Sequence, residues 1–311
     1  MGPQPYVVQP SLFKIKGIGG EYPPPAATSR EITATSALAS TLPAYHAYLV
    51  SSTYSEHTIK AFLGDIRLLQ KFLGPDQEIG QVTTTDLNKW LTYLRQGRGR
   101  PCSPKSLSRR VTSLRNFFGW LHQSGIIPED PAASVVYKRA TSPLPEILYD
   151  DECDHLLAAA SSDSRTYVLV LLLLETGVKR EELLKIKLTH LDLSDRYRPE
   201  LWIRGKRHKE RKLRLPPEFT VALDTYLAEY QPQENLFECT DRNLTYILQS
   251  VAKRAGIKKR VSCQILRDTF AVREIRAGEK IEKAFEKLGL APGSFNEEAR
   301  KKYLKLASPA L

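Results

Sequence analysis

The chain has 311 residues, 46 of them Lys or Arg against 35 Asp or Glu, for a net charge of +11. That length suits two domains of ordinary size, each able to bury its own core. The cationic excess predicts a polyanionic partner, nucleic acid first and an anionic membrane surface second.

In chain order, residues 1–40 are rich in Pro, Gly, Ala, Ser and Thr, and "EYPPPAATS" rules out a continuous helix or strand. A flexible arm is expected there, with plain disorder and a partner contact through "SLFKIKGIGG" both open. The opening "MGPQPYVVQPS" lacks the basic segment and long apolar stretch of a secretory signal. Over 41–138, "TLPAYHAYLVSS", "SEHTIKAFLGDIRLLQKFLG", "TTTDLNKWLTYLRQG" and "SPKSLSRRVTSLRNFFGWLHQSG" each repeat apolar residues at three and four. They predict a helical bundle, with Ser55 as an N-cap and Gly74 and Gly125 closing two helices. The prolines of "IIPEDPAASVVYKRATSPLPEI" then mark a linker, placed at 139–146.

The second domain, 147–311, opens with "YDDECDHLLAAA", whose early acids suit a helix N-terminus. The longest apolar run, "YVLVLLLL" at 167–174, is far too short for the roughly 20 residues of a bilayer span, so a buried core helix is expected. The segment "TGVKREELLKIKL" reads as a further helix, and "HLDLSD", "ELWIRGK" and "KERKLRLPP" as a small antiparallel sheet. Helical patterns resume from Pro217 to the end, making a mainly α chain of two domains, the second α+β. Cys102, Cys153, Cys239 and Cys263 lie scattered without a metal-ligand spacing, which suits a reducing cytosol and neither a disulfide framework nor a metal site.

Two clusters of cations punctuate these elements. "CSPKSLSRRVTSLR" gathers Lys105, Arg109, Arg110 and Arg115 with several hydroxyls, and "GIKKRVSCQILR" places Lys258, Lys259 and Arg260 ahead of Arg267. Such runs suit phosphates and groove edges, although a charge run is more often simply a solvated face.

The helical segments before residue 138 are similar in order and spacing to a core-binding domain. The boxes "TGVKREELL", "GKRHKERKLRLP", "QILRDTFA", "KLGL" and "KKYLKL" follow in a matching series, and together they resemble the tyrosine recombinases of the phage integrase family. That resemblance implies a clamp on duplex DNA and phosphoryl transfer without metal or cofactor. A tyrosine hydroxyl attacks a backbone phosphate, leaving a 3′-phosphotyrosyl link and a free 5′-hydroxyl. The chemistry asks for cations and donors around the non-bridging oxygens and an acid for the leaving oxygen.

By resemblance, Arg267 takes the place of the second phosphate-gripping arginine, Lys206 that of the acid on the leaving oxygen, and Tyr303 that of the nucleophile. Lys209 competes for the Lys206 role. Plainer readings stand beside each: a helix arginine, a solvated hairpin tip and a core tyrosine. Departures from the family pattern are as informative. Lys179 stands for the first arginine and has no bidentate fork. Gln264 stands where a histidine is common, Asp268 follows Arg267 where another often sits, and Leu290 fills a His or Trp position without any donor. No histidine follows His208 to repair these losses.

The combination favours a protein that binds double-stranded DNA with strand cleavage and rejoining lost or strongly weakened. An active divergent recombinase is the alternative, and a regulatory partner of recombinase complexes the second. A cytoplasmic, nucleoid-associated protein without a membrane association is expected. Because only "LKLASPAL" follows Tyr303, a monomer in solution that assembles on DNA is expected as well.

Overall fold

The computed structural model describes residues 32–97, 99–135, 137, 143–204, 210–290 and 296–308. The chain divides into two compact units, 1–142 and 143–311. Residues 1–31 of the expected arm and 139–142 of the expected linker lie outside the described residues.

The first unit contains α1 (Leu38–Ser51), α2 (Glu56–Leu73), α3 (Thr84–Thr92) and α4 (Pro104–Gln123). Helix α1 begins inside the segment expected to be an arm, because Leu38 is fully buried and the Gly80 amide donates to the Ala34 carbonyl at 2.8 Å. Ser55 accepts from the Thr58 amide at 3.3 Å to cap α2, and Gly74 follows the helix at φ 112°. Pro104 occupies the first turn of α4, where its missing N–H costs nothing. Buried faces of these helices meet in one core, where the Tyr45 ring stands edge-on to Phe117 at 4.9 Å. The Tyr45 hydroxyl donates to Asn116 Oδ1 at 2.6 Å, and Asn116 Nδ2 donates to the Tyr54 hydroxyl at 3.0 Å, so the Asn116 amide links two of the tyrosines around this core.

The second unit is built on α5 (Asp150–Ala160), α6 (Ser164–Thr176) and the one-turn α7 (Arg180–Leu183). In α6 every residue from 168 to 174 is at most 3% exposed, the all-round burial expected of a helix apolar on every face. Strands β1 (Leu191–Asp192), β2 (Glu200–Arg204) and β3 (Glu210–Arg214) form the expected antiparallel sheet in the order β1-β2-β3. Its period of two turns Leu201, Ile203 and Leu213 inward and leaves Trp202 42% exposed. Helices α8 (Glu218–Tyr230) and α9 (Asp241–Arg254) complete the larger core. Helices α10 (Cys263–Arg276), α11 (Ile281–Lys287) and α12 (Glu297–Ala307) share a separate cluster with Ile147.

One element differs from its expectation. "TGVKREELLKIKL" holds a single helical turn, and Lys179 lies outside it in extended backbone at ψ 151°. Gly177, at φ 56°, ends α6 in the left-handed region, and a Cβ there would lie 2.5 Å from the Phe270 ring. The chain is pinned at that glycine before α7 starts, which interrupts what the apolar spacing alone suggests.

Candidate phosphate site and nucleic-acid faces

Gly177 presents its carbonyl to α10. Arg267, 4% exposed, donates from Nη1 to Gly177 O at 2.5 Å and from Nη2 to Leu288 O at 2.6 Å. Both Nη atoms of its guanidinium thereby bond main chain, joining the end of α6 to the end of α11. Beside it, Asp268 Oδ1 accepts from the Tyr303 hydroxyl at 2.6 Å and from Gln264 Nε2 at 2.9 Å. Tyr303 is 5% exposed and its ring meets Phe285 edge-on at 6.1 Å. Burial, then the charge and hydrogen bond of Asp268, push the Tyr303 phenol above its ordinary value. Burial also raises the Asp268 carboxyl, against the hydrogen bonds from Tyr303 and Gln264 and the charge of Arg267. Three of the sequence-predicted positions, Arg267, Gln264 and Tyr303, are thus gathered around Asp268.

Lys179 is exposed, and its amide donates to Glu182 Oε2 at 2.8 Å. Glu182 in turn receives Arg211 through Nη1 at 3.0 Å and Nη2 at 2.7 Å, while Arg211 Nε donates to Lys287 O at 2.7 Å. Burial pushes the Glu182 carboxyl upward, but the Arg211 and Lys179 hydrogen bonds and charges outweigh it and leave it below the ordinary value. This bridge ties α7, β3 and the end of α11 together, and sequence reading missed it because its halves lie 29 residues apart. Arg180, next to Lys179, pairs with Asp241 at 3.0 Å. Leu290 packs partly buried against the α10–α12 cluster. Lys206 and Lys209 lie outside the described residues. Among the described residues no group of acids, histidines and cysteines is placed to hold a metal.

The cationic clusters divide once their partners are known. Arg109 pairs with the buried carboxylate of Asp65, Arg110 Nε lies 3.4 Å from the same group, and Ser113 donates to it at 2.7 Å. Arg115 Nη2 donates to Val135 O at 2.9 Å. Lys259 pairs with Glu152, donates to Ile147 O at 2.8 Å and stands 4.2 Å from the Tyr149 ring centroid. These cations hold the fold, whereas Lys105, Lys258 and Arg260 are exposed. Asp65→Ala should accordingly destabilise the first unit by about 3 kcal/mol, since it strands two guanidiniums, one of them nearly buried. Urea unfolding that shifts by less than about 1 kcal/mol would show that water replaces the carboxylate.

Two further faces carry cations that sequence reading did not single out. On α2, Lys60, Gly64, Arg67 and Lys71 are all exposed, and on α9 so are Arg242, Tyr246, Gln249 and Lys253. Both sets follow the spacing of four, three and four that keeps residues on one side of a helix. Tyr246 is 71% exposed. The available signal was this same periodicity applied to charges rather than to apolar residues.

Residues 42–125 match the family model for the phage integrase N-terminal SAM-like domain, and residues 146–291 the phage integrase family model. A tyrosine recombinase of Thermosipho africanus is 30% identical over 246 residues, covering 76% of this chain and 85% of its own. The chain belongs to the tyrosine recombinase family. Tyrosine recombinase XerC of Anoxybacillus flavithermus is 29% identical to this family member over 263 residues, 78% of this chain and 86% of the relative. In fold it is similar to the XerH site-specific recombinase solved in a pre-cleavage complex with difH substrate, at a TM-score of 0.66 and 18% identity, covering 85% of this chain and 80% of the other. It is similar also to a lambda integrase dimer bound to a COC' core site, at a TM-score of 0.68 and 17% identity, covering 88% and 77%. No described helix of this tyrosine recombinase family member is long and apolar enough to cross a membrane.

Proposed function

We propose that this member of the family binds duplex DNA through both of its units and has lost, or retains only weakly, the ability to cleave and rejoin strands. The observation that carries this reading is the bond from Tyr303 to Asp268 inside a buried cluster, with the adjacent, buried Arg267 bonded to two main-chain carbonyls. A nucleophile needs its hydroxyl directed at phosphorus and its phosphate held by preorganised donors. Lys179, Gln264 and Leu290 supply fewer such donors than the family pattern, each loss costing on the order of 10² to 10³ in rate. By resemblance Lys206 is assigned the role of acid on the leaving oxygen, with Lys209 as its competitor in the sequence. Neither a metal nor a cofactor enters this reading.

Binding rests on charge. The net charge of +11 and the stripes on α2 and α9 support a phosphate-directed surface, with Lys105, Lys258 and Arg260 extending it. Alanine at Lys60, Arg67, Arg242 and Lys253 is expected to weaken duplex binding and to reduce the slope of log K against log salt by roughly 0.9 for each phosphate contact removed. Unchanged affinity and slope would overturn the assignment of these faces. Alanine at Arg109, Arg110 or Lys259 should instead act mainly on stability.

A suicide duplex, which traps any covalent tyrosyl product, tests the chemistry. The unmodified chain is expected to give little or no adduct, and adduct in high yield that disappears in Tyr303→Phe would favour the active alternative. In free solution a monomer is proposed, and a stable dimer in sedimentation at micromolar concentration would overturn that.

A further inference from the structure

Asp268 and Gln264 lie four residues apart on α10, so their side chains emerge one turn apart on the same side. There the carboxylate of Asp268, 6% exposed, accepts through one oxygen from Gln264 of its own helix and from Tyr303 of α12. The remainder of α12 is fastened nearby: Arg276 Nη2 donates to Leu306 O at 2.9 Å, and Arg300 pairs with Glu282 at 2.8 Å. Tyr303 itself fills the apolar cluster of α10, α11 and α12 beside Phe285. To present its hydroxyl to a phosphate, Tyr303 must leave that cluster and give up a charge-assisted hydrogen bond. Asp268 would then keep only Gln264 among these two donors.

We propose that Asp268 is a latch: it withholds the Tyr303 hydroxyl and fastens α12 to α10, so that the residue at the nucleophile position serves the fold. Asp268 is therefore a positioning residue that acts through Tyr303. The proposal rests on the reading of lost or weakened strand cleavage and gives that loss a physical cause besides missing donors. A carboxylate suits the task because its oxygen can accept from a hydroxyl and an amide together, and its charge strengthens both bonds. A histidine ring nitrogen offers a single acceptor, and none at all once protonated.

The test compares the full chain with Asp268→Ala, Asp268→Asn, Tyr303→Phe and the double variant Asp268→Ala with Tyr303→Phe, by hydrogen exchange of the α12 amides. Asp268→Ala should accelerate that exchange by roughly tenfold to a hundredfold, the range a hydrogen bond to a charged group commands. Asp268→Asn, whose amide oxygen accepts the same bond, should restore most of the protection. Tyr303→Phe should accelerate exchange nearly as much as Asp268→Ala, and the double variant should add little to either, because the shared bond is already absent. Additive effects in the double variant, or unchanged α12 exchange in Tyr303→Phe, would overturn the latch. Tyr303→Phe preserves the apolar ring and keeps the test open if Asp268→Ala fails to fold. Suicide-duplex trapping on the unmodified chain separates the two claims: adduct in high yield overturns the reading of lost or weakened cleavage, whereas unaltered exchange with little or no adduct overturns the latch alone.

Discussion

Arg267→Ala is expected to lower the stability of the second unit by about 3–5 kcal/mol, the scale of removing one partner from a buried charged network. The side chain is 4% exposed and donates to the carbonyls of Gly177 and Leu288, which lie 90 and 21 residues away in sequence. Truncation leaves both carbonyls unpaired in the interior, each at a cost of about 1–3 kcal/mol, and opens a cavity beside Tyr303. Arg267→Lys should recover little of this, since one ammonium on a flexible stem cannot span the two acceptors that a planar fork reaches together. Urea unfolding followed by α10 exchange checks both variants. A loss below about 1 kcal/mol for Arg267→Ala would mean that water reaches the two carbonyls, and the guanidinium would then be available for a phosphate.

The second large effect concerns the chemistry. Lys179→Arg, Gln264→His and Leu290→His together install the residue types that the resemblance expects at three positions, but they leave Asp268 in place. This triple variant is expected to give no more covalent adduct on a suicide duplex than the unmodified chain. Adding Asp268→His removes the carboxylate that accepts from Tyr303 and should raise adduct formation at least roughly 10² to 10³-fold above the triple variant, the scale of one preorganised donor. The product should vanish with Tyr303→Phe. Strong trapping by the triple variant alone would show that donors limit the reaction and that the Tyr303 contact does not.

Much of the architecture was legible because it is local. The three-and-four spacing marked the helices of the first unit, and Ser55 capped α2 as its position before an apolar pattern suggested. The apolar run at 167–174 read as a buried core helix, and the short segments "ELWIRGK" and "KERKLRLPP" placed the sheet. These signals are periodicities and caps, which operate within a few residues of one another. Where a local signal met a long-range contact, the contact prevailed. The helix suggested by "TGVKREELLKIKL" is held to one turn: a left-handed Gly177 packed against Phe270 and Leu288 precedes it, and after it the Ile186 carbonyl and the Leu188 amide bond Leu236 and Glu234.

The candidate site divides along the same line. Sequence by itself supplied the residue types at the positions that the resemblance assigns: Lys179, Gln264, Asp268 and Leu290 read there as departures, Arg267 and Tyr303 as matches. It also determined the excess positive charge. Only the tertiary structure decided which of those groups are committed to one another. Arg109 meets Asp65 across 44 residues, Lys259 meets Glu152 across 107, and Tyr303 meets Asp268 across 35. A cation looks the same in a sequence whether it faces solvent or a carboxylate. Its role is set by desolvation and by the partner that packing delivers, and both depend on contacts between segments that are distant along the chain.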